Sequence, residues 1–261
     1  MKVLLTNDDG YQALGLRIVA SILKEKFEQI IIAAPKTQQS STGGSFPGKG
    51  NWGKDQVDGM EVLWVDGPPS DAIELAGELY GNDFDLIFSG MNMGTNVGSV
   101  PASGTLGAAN HALEKAIAPK ALVFSWRVPE ELWDKTAPNL PLAKYKKYPT
   151  STVRKLIELT LENDFWGAEL LNFNLPENQP DFLRICEPAK QAYKKYYAYT
   201  LAVDHQVKTY QKIGADPRIL TGDLHFDANA LSQGYATVVP WLSNRYVNQN
   251  LLKLIGTEIK L

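Results

Sequence analysis

The chain has 261 residues, 44% hydrophobic, 21% charged and 10% aromatic, proportions that exclude a collagen-like or disordered tract. At about 150 residues per domain the length suits one large domain, or one domain with an appendage. Lysine and arginine number 26 against 29 aspartate and glutamate, and the formal net charge of -3 lacks the electrostatic footprint of a protein that binds a nucleic-acid duplex.

Val3 to Thr6 is a short apolar run that ends in the turn signal Asn7-Asp8-Asp9-Gly10. Leu14, Ile18 and Ile22, with Val19 and Leu23, then recur at helical spacing, giving strand, loop and helix. Ile30 to Ala34 is a continuous apolar run closed by Pro35, the pattern of a parallel strand covered on both faces. Glu61 to Val65 predicts the next strand, Asp66-Gly67-Pro68-Pro69 a turn, and about Ser70 to Tyr80 a helix. Leu86 to Phe88 leads into a Gly/Asn-rich loop over Ser89 to Gly98. A helix from about Thr105 to Ile117 and a strand from Ala121 to Ser125 complete the series. Strands alternating with helices imply right-handed crossovers and a doubly wound, mostly parallel sheet in a three-layer α/β/α arrangement, with ligands beyond the carboxyl ends of the strands. Three polar loops, Asn7 to Gly10, Lys36 to Ser45 and Ser89 to Gly98, are therefore expected to converge on one edge.

Beyond Trp126 the chain is irregular, punctuated by Pro129, Pro138, Pro141 and Pro149, until a helix from about Ser151 to Glu162 and a strand from Leu170 to Leu175. A Tyr- and Lys-rich stretch of about 184–213, including Tyr193, Tyr196, Tyr197 and Tyr199, has strand-like composition and reads as a protruding arm on a single domain of 1–261. The tail, 240–261, has apolar residues at Leu251, Leu252, Leu254 and Ile255, the pattern of a short amphipathic helix. No run approaches the ~20 apolar residues that cross a bilayer, and the first apolar run is far short of a signal-peptide segment. The single cysteine, Cys186, excludes an intrachain disulfide and a cysteine-based metal cluster and fits a reducing compartment, so a cytoplasmic protein is expected.

Asp8 and Asp9 follow a buried strand, where adjacent carboxylates repel unless a cation or proton intervenes. A hard divalent ion such as Mg²⁺, which takes oxygen ligands and one or two carboxylates, answers that problem. Taken alone, the motif reads sooner as a solvated turn with a helix N-cap. The second loop, Ser40 to Ser45, offers hydroxyls and backbone amides, or is a plain polar loop. In the third, glycines permit close ligand approach while Asn92 and Asn96 present amides, and Ser103-Gly104-Thr105 opens a helix whose amides and dipole suit an anion, or simply cap it. No G-x-G-x-x-G follows the first strand, and neither a P-loop nor a G-x-S-x-G elbow is present. His111, His205 and His225 have no paired metal spacing. His111 reads as packed or at the surface, and His225, between Asp223 and Asp227, as a candidate acid or a loop residue.

Taken jointly, these loops resemble the survival protein E family of 5'/3'-nucleotidases. The matching stretches are Thr6 to Gly10, Ala34-Pro35 with Ser40 to Ser45, Gly67 to Asp71, Ser89 to Gly98, Ser103 to Thr105, Asn172 to Pro176, Asp227 to Leu231, and Gly234-Tyr235 through Pro240. The resemblance implies a Rossmann-like α/β core and a metal-dependent phosphohydrolase acting on nucleoside 5'- and 3'-monophosphates, in some members also on polyphosphate. It implies one divalent ion, Mg²⁺ or Mn²⁺, on Asp8, Asp9, Ser40 and Asn92. It places Asn96, Ser103, Gly104 and Thr105 at the phosphate, and a homodimer or homotetramer built through the arm. With those groups the expected chemistry is attack by a metal-activated water without a covalent intermediate, Asp8 and Asp9 being catalytic and Asp9 positioning the water. The chain departs from the family pattern at Ala102, where Tyr or His is usual, at Ser99-Val100-Pro101, where acidic residues are common, and at Gln39, often Arg. Two rivals follow: a nucleotide-binding regulatory module without turnover, motivated by Ala102, and a metal-dependent nucleotide-sugar transferase.

Overall fold

The computed structural model describes residues 1–98, 101–132, 140–197, 200–204, 206–213, 218–241 and 253–260. The first strand, β1 (Lys2–Thr6), carries Val3, Leu4 and Leu5, all without solvent exposure. Val3 and Leu5 face one core and Leu4 the other, because successive strand residues point to opposite sides. Each such side chain contributes about 1.5–3 kcal/mol by leaving water. The first core is closed by α1 (Leu14–Lys26), through Leu14, Ile18, Val19 and Ile22, and by α4 (Ser151–Glu162), through Val153, Leu156 and Ile157. The second is closed by α2 (Pro69–Tyr80) and α3 (Gly104–Glu114), which apply small residues, Ala72, Ala76, Ala108, Ala109 and Ala112, closely to the sheet. The result is the expected three-layer, doubly wound α/β/α fold.

The remaining strands are β2 (Gln29–Pro35), β3 (Trp52–Val57), β4 (Met60–Val65), β5 (Leu86–Met93), β6 (Ala121–Trp126), β7 (Leu170–Leu175), β8 (Phe182–Ile185), β9 (Thr200–Asp204), β10 (Thr209–Ile213), β11 (Ala236–Trp241) and β12 (Glu258–Lys260), with a short helix α5 (Asp227–Ser232) before β11. Ten of the described strands, β1 included, form one sheet in the order β12-β8-β11-β7-β6-β5-β1-β2-β4-β3. The run from β7 to β4 is parallel, so the carboxyl ends of β5, β1 and β2 lie side by side. Among the described residues, no helix is long and apolar enough to cross a membrane.

Four sequence expectations change. Ser89 to Met93 is not loop: β5 runs on through Met93, wholly buried, its pairing with β6 shifting register between Ser89 and Asn92 as a bulge takes up the extra chain. A strand was not expected at Trp52–Val57. It is a polar edge strand paired antiparallel with β4 through the two-residue turn Asp58-Gly59, and both turn residues have positive φ (50° and 73°), as a tight hairpin requires. The tail forms no helix over the described residues 253–260. Turn residues lead into β12, which pairs with β8, and Leu251 and Leu252 lie outside the described residues. The arm does not begin at 184: Phe182–Ile185 is a strand of the main sheet and Tyr196 is fully buried, whereas the two-stranded sheet β9-β10 pairs with no other described strand.

Candidate active site

The turn after β1 places Asp8 and Asp9 at the sheet edge, 4% and 2% exposed. Asn7 Nδ2 shapes the turn by donating to the Gly10 carbonyl (3.0 Å). The other two polar segments and the start of α3 each reach this turn. The Gln39 N–H of the second loop donates to the Asp8 carbonyl (2.7 Å), the Met93 N–H at the end of β5 donates to Asp9 Oδ2 (2.7 Å), and the Thr105 hydroxyl in the first turn of α3 donates to Asp8 Oδ1 (2.6 Å). The expected convergence is therefore made by hydrogen bonds to the two aspartates themselves.

Helix α3 starts against Asp8. Ser103 caps it, its Oγ accepting from the Leu106 N–H (3.0 Å), and Ser89 Oγ ties the Thr105 carbonyl to β5 (2.7 Å). A Cβ on Gly104 would lie 2.7 Å from Asp8 Cβ and 2.8 Å from Oδ2, so only glycine lets the helix end approach the carboxylate this closely. First-turn amides have no acceptor within a helix, which leaves the Gly104 and Thr105 amides suited to an anion.

Asn92, 7% exposed, donates through Nδ2 to the Gly94 carbonyl (2.8 Å), which orients its amide and leaves Oδ1 as its acceptor atom. Ser40 is exposed in the second loop, one residue from the Gln39 amide on Asp8, and its Oγ accepts from Gln38 Nε2 (3.2 Å). Asn96 goes elsewhere: its Nδ2 donates to Ser125 Oγ (2.9 Å), its N–H to Asn174 Oδ1 (2.7 Å), and its carbonyl accepts from Asn172 (2.8 Å) and Asn174 (3.1 Å). The hydroxyl of Thr105 is likewise committed to Asp8, so its amide is the group left for an anion. Of the positions where the chain departs from the family pattern, Ser99 and Val100 lie outside the described residues.

Behind this edge lies a brace to which sequence reading had given no role. The Tyr197 hydroxyl donates to the Thr95 carbonyl (2.7 Å) and accepts the Val97 N–H (3.0 Å), and burial holds its phenol well above the usual range, so it stays a donor. Asp227, fully buried at the start of α5, accepts N–H groups from Gly98 (2.7 Å), Ala189 (2.8 Å) and Ala228 (2.7 Å). Burial pushes its pKa up to about 6 against the downward pull of those three bonds. Asn172, Asn174 and Asp227 belong to stretches that carried the family resemblance, whereas nothing local marks Tyr197. The histidines take structural places among the described residues: His111 Nε2 meets Glu74 Oε1 (2.8 Å), and His225 Nδ1 meets Asp223 Oδ1 (2.6 Å) in an exposed pair rather than reaching Asp227; His205 lies outside them.

Among the described residues, no three of His, Cys, Asp or Glu cluster as metal ligands. Asn92 precedes Met93 and Ser40 follows Gln39, the two residues whose amides bond the aspartates, so an amide oxygen and a hydroxyl would join the two buried carboxylates in an all-oxygen donor set, the chemistry of a hard divalent cation.

The chain matches the family described as "Survival protein SurE" over residues 3–197. It is similar to proteins named 5'-nucleotidase SurE: 31% identity with that of Chloroflexus aggregans over 92% of both chains, 32% with that of Campylobacter lari over 93% of both, and 30% with that of Erythrobacter litoralis over the whole of both. Its fold is that of the SurE protein from Aquifex aeolicus, with a TM-score of 0.71 at 22% identity over 97% of each chain. A match across three quarters of the chain, with the paired aspartates and the α3 cap inside it, places this protein in the survival protein SurE family.

Proposed function

We propose that the protein is a metal-dependent phosphomonoesterase that releases phosphate from nucleoside 5'- and 3'-monophosphates. The observation that carries this reading is the buried Asp8–Asp9 pair gripped by the N-terminus of α3: anionic side chains and an anion-attracting helix end, side by side, suit a cation and a phosphate bound together. The names of the similar proteins favour 5'-nucleotides.

A divalent ion, Mg²⁺ or Mn²⁺, held by Asp8, Asp9, Asn92 and Ser40 would supply Lewis acidity and neutralise the paired carboxylates. The chain does the rest. The amides of Gly104 and Thr105 and the Ser103 turn receive phosphoryl oxygens and stabilise the charge that builds on them. Asp9, held by the Met93 N–H, orients the attacking water, and Thr105 keeps Asp8 from rotating away. Asn96 fixes the loop through Ser125 and the two asparagines of β7 rather than touching substrate. Ala102 offers only its carbonyl, which accepts the Gly43 N–H (3.1 Å), so no side chain at that position protonates the leaving group.

A second copy of the chain is the natural cover for β9-β10, where Leu201, Val203 and Tyr210 are each more than half exposed on one face, and a lone two-stranded sheet is marginal in water. The buried Cys186, its thiol pushed up by burial, is inert and consistent with a cytoplasmic setting.

The test is phosphate release from 5'- and 3'-nucleoside monophosphates with Mg²⁺, Mn²⁺ or EDTA, for wild type and Asp9→Ala. Metal-dependent release that falls on the order of 10²–10³-fold in the variant is the expected result. Nucleotide binding without release under any metal would identify a binding module instead, and transfer of a sugar without free phosphate would identify a transferase.

A further inference from the structure

At the amino ends of the strands, on the edge of the sheet away from the aspartate turn, β2 and β4 separate. Their pairing starts only where Ala33 lies opposite Leu63 and runs on to Pro35 opposite Val65. Before that point Ile30–Ile32 keep their register with Val3–Leu5 of β1, and Met60–Val62 keep theirs with Asp55–Val57 of β3, but the two segments do not pair with each other. The opening is a cavity of about 310 Å³, walled by Phe27 just past α1, by Ile31 of β2 and by Met60 and Leu63 of β4. Its closed end, where the pairing begins, is formed by Ile32 and Leu63, 3% and 2% exposed, and Lys24 and Glu28 stand exposed on its rim.

Backbone groups alternate in direction along a strand, and two bonds at the far end of β2 fix which residues face the opening. The Lys36 N–H turns toward β4 and reaches the Val65 carbonyl (2.7 Å), whereas the Pro35 carbonyl turns the other way and accepts the Tyr11 N–H (2.9 Å). Ile30 and Ile32 share the parity of Lys36, so their N–H and C=O groups aim into the cavity. Glu61 shares the parity of Val65 and aims its own from the opposite wall. Buried backbone groups are otherwise paired, so a cavity lined by them on both walls accommodates a guest that both donates and accepts. Neither Lys24 nor Glu28 has an ion-pair partner among the described residues, whereas nearby Lys26 holds Glu158 (2.6 Å), and Glu61 receives Lys54 (2.9 Å) and the Tyr80 hydroxyl (3.3 Å).

We propose that this cleft is a binding site for a free α-amino acid with a branched or aromatic apolar side chain, its carboxylate on Lys24, its ammonium on Glu28 and its side chain between Phe27, Ile31 and Met60. A zwitterion answers the two opposite charges of the rim at once, whereas a simple anion would face Glu28 and a simple cation Lys24. A carboxylate only accepts and an ammonium only donates, so the Ile30 N–H serves the first and the Ile30 and Glu61 carbonyls serve the second. The volume lies at the small end of ligand sites, which span about 300–1,000 Å³, and the apolar walls behind the rim reward a side chain that fills them. The seven residues of β2 separate this cleft from the Asp8–Asp9 edge by on the order of 20 Å, so the inference does not rest on the nucleotidase reading.

The experiment is calorimetric titration of the full chain with leucine and phenylalanine, and with alanine, leucinamide and N-acetyl-leucine as controls, for wild type, Lys24→Met, Glu28→Gln and Met60→Trp. Leucine and phenylalanine are expected to bind once per chain. Alanine, which leaves the apolar walls unfilled, is expected to bind at least about tenfold more weakly. Leucinamide lacks the carboxylate and N-acetyl-leucine the ammonium, and each is expected to lose about tenfold against leucine. Lys24→Met and Glu28→Gln change only exposed side chains, leave the fold intact, and are each expected to weaken leucine about tenfold, while Met60→Trp fills the cleft and abolishes binding. No binding of leucine or phenylalanine at millimolar concentration would overturn the site. So would equal binding of alanine and leucine, or leucine binding unaltered in both Lys24→Met and Glu28→Gln.

Discussion

The two sides of the Gly94–Gly98 loop are built on opposite terms. In front, Asp8, Asp9 and the start of α3 bring like charges and a helix end together, an arrangement whose electrostatics favour ligands rather than the empty fold. Behind, Asn96, Ser125, Asn172, Asn174, Tyr197 and Asp227 bond to one another or to backbone, with no reactive geometry at all. The contrast separates two kinds of damage. If the proposed function holds, losing a group in front is expected to cost rate above all, whereas losing one behind is expected to cost stability first and rate through misplacement of the loop.

Asp227 is the strongest test of the rear. Asp227→Ala orphans three buried N–H groups and is expected to destabilise the fold by on the order of 3–5 kcal/mol, read by denaturant unfolding. Its charge also has a pH signature. Because the folded pKa is raised from 3.8 to about 6, the stabilisation it provides is fully present below pH 3.8 and is lost as pH rises through 6, ~3 kcal/mol in all at 1.4 kcal/mol per unit. Asp227→Asn does not titrate, so the stability difference between wild type and this variant should shrink from pH 4 to pH 7. A difference that grows over that range would contradict the assignment.

The front is probed by Gly104→Ala. Alanine is the better helix former, yet its Cβ would press on Asp8, so the helix end must withdraw. Nucleotidase activity is expected to fall about 10- to 100-fold, with a stability change within about 1–3 kcal/mol. Unaltered activity would mean that the contact with Asp8 carries no function. The smallest effect is expected for Tyr197→Phe, which removes one hydroxyl that both donates and accepts: about 1–3 kcal/mol of stability, and a fall in kcat with KM for nucleotide nearly unchanged. A rise in KM alone would move Tyr197 from the brace to the binding surface.

Most of the frame was legible in the sequence. The helix Ser151–Glu162 and the strand Leu170–Leu175 match their expected bounds: Val153, Leu156 and Ile157 keep helical spacing, and four apolar residues carry the strand around Asn172 and Asn174. The hairpin was missed although its Asp58-Gly59 turn signal was present, since β3 is an edge strand with no buried face to show alternation. The end of β5 read as loop because Gly-Met-Asn-Met carries loop composition, and its burial between β1 and β6 is a tertiary fact. At the candidate site, the adjacent pair Asp8–Asp9 and the cap Ser103 are local signals, legible from neighbouring residues alone. The committed hydroxyl of Thr105, the inward turn of Asn96 and the role of Tyr197 depend on partners 97, 78 and 102 residues away, which leave no trace in neighbouring sequence.

The bond from Gly98 to Asp227 spans 129 residues, and it sets a timetable for synthesis. The groups proposed to meet metal and phosphate have all been translated by Thr105, but the acceptor that fixes the last glycine of their loop, Asp227, lies 129 residues beyond that glycine. A ribosome stalled between the two would hold a nascent protein with every reactive group and no settled geometry. Activity should therefore arrive late and abruptly during translation, rather than growing with the length of chain made.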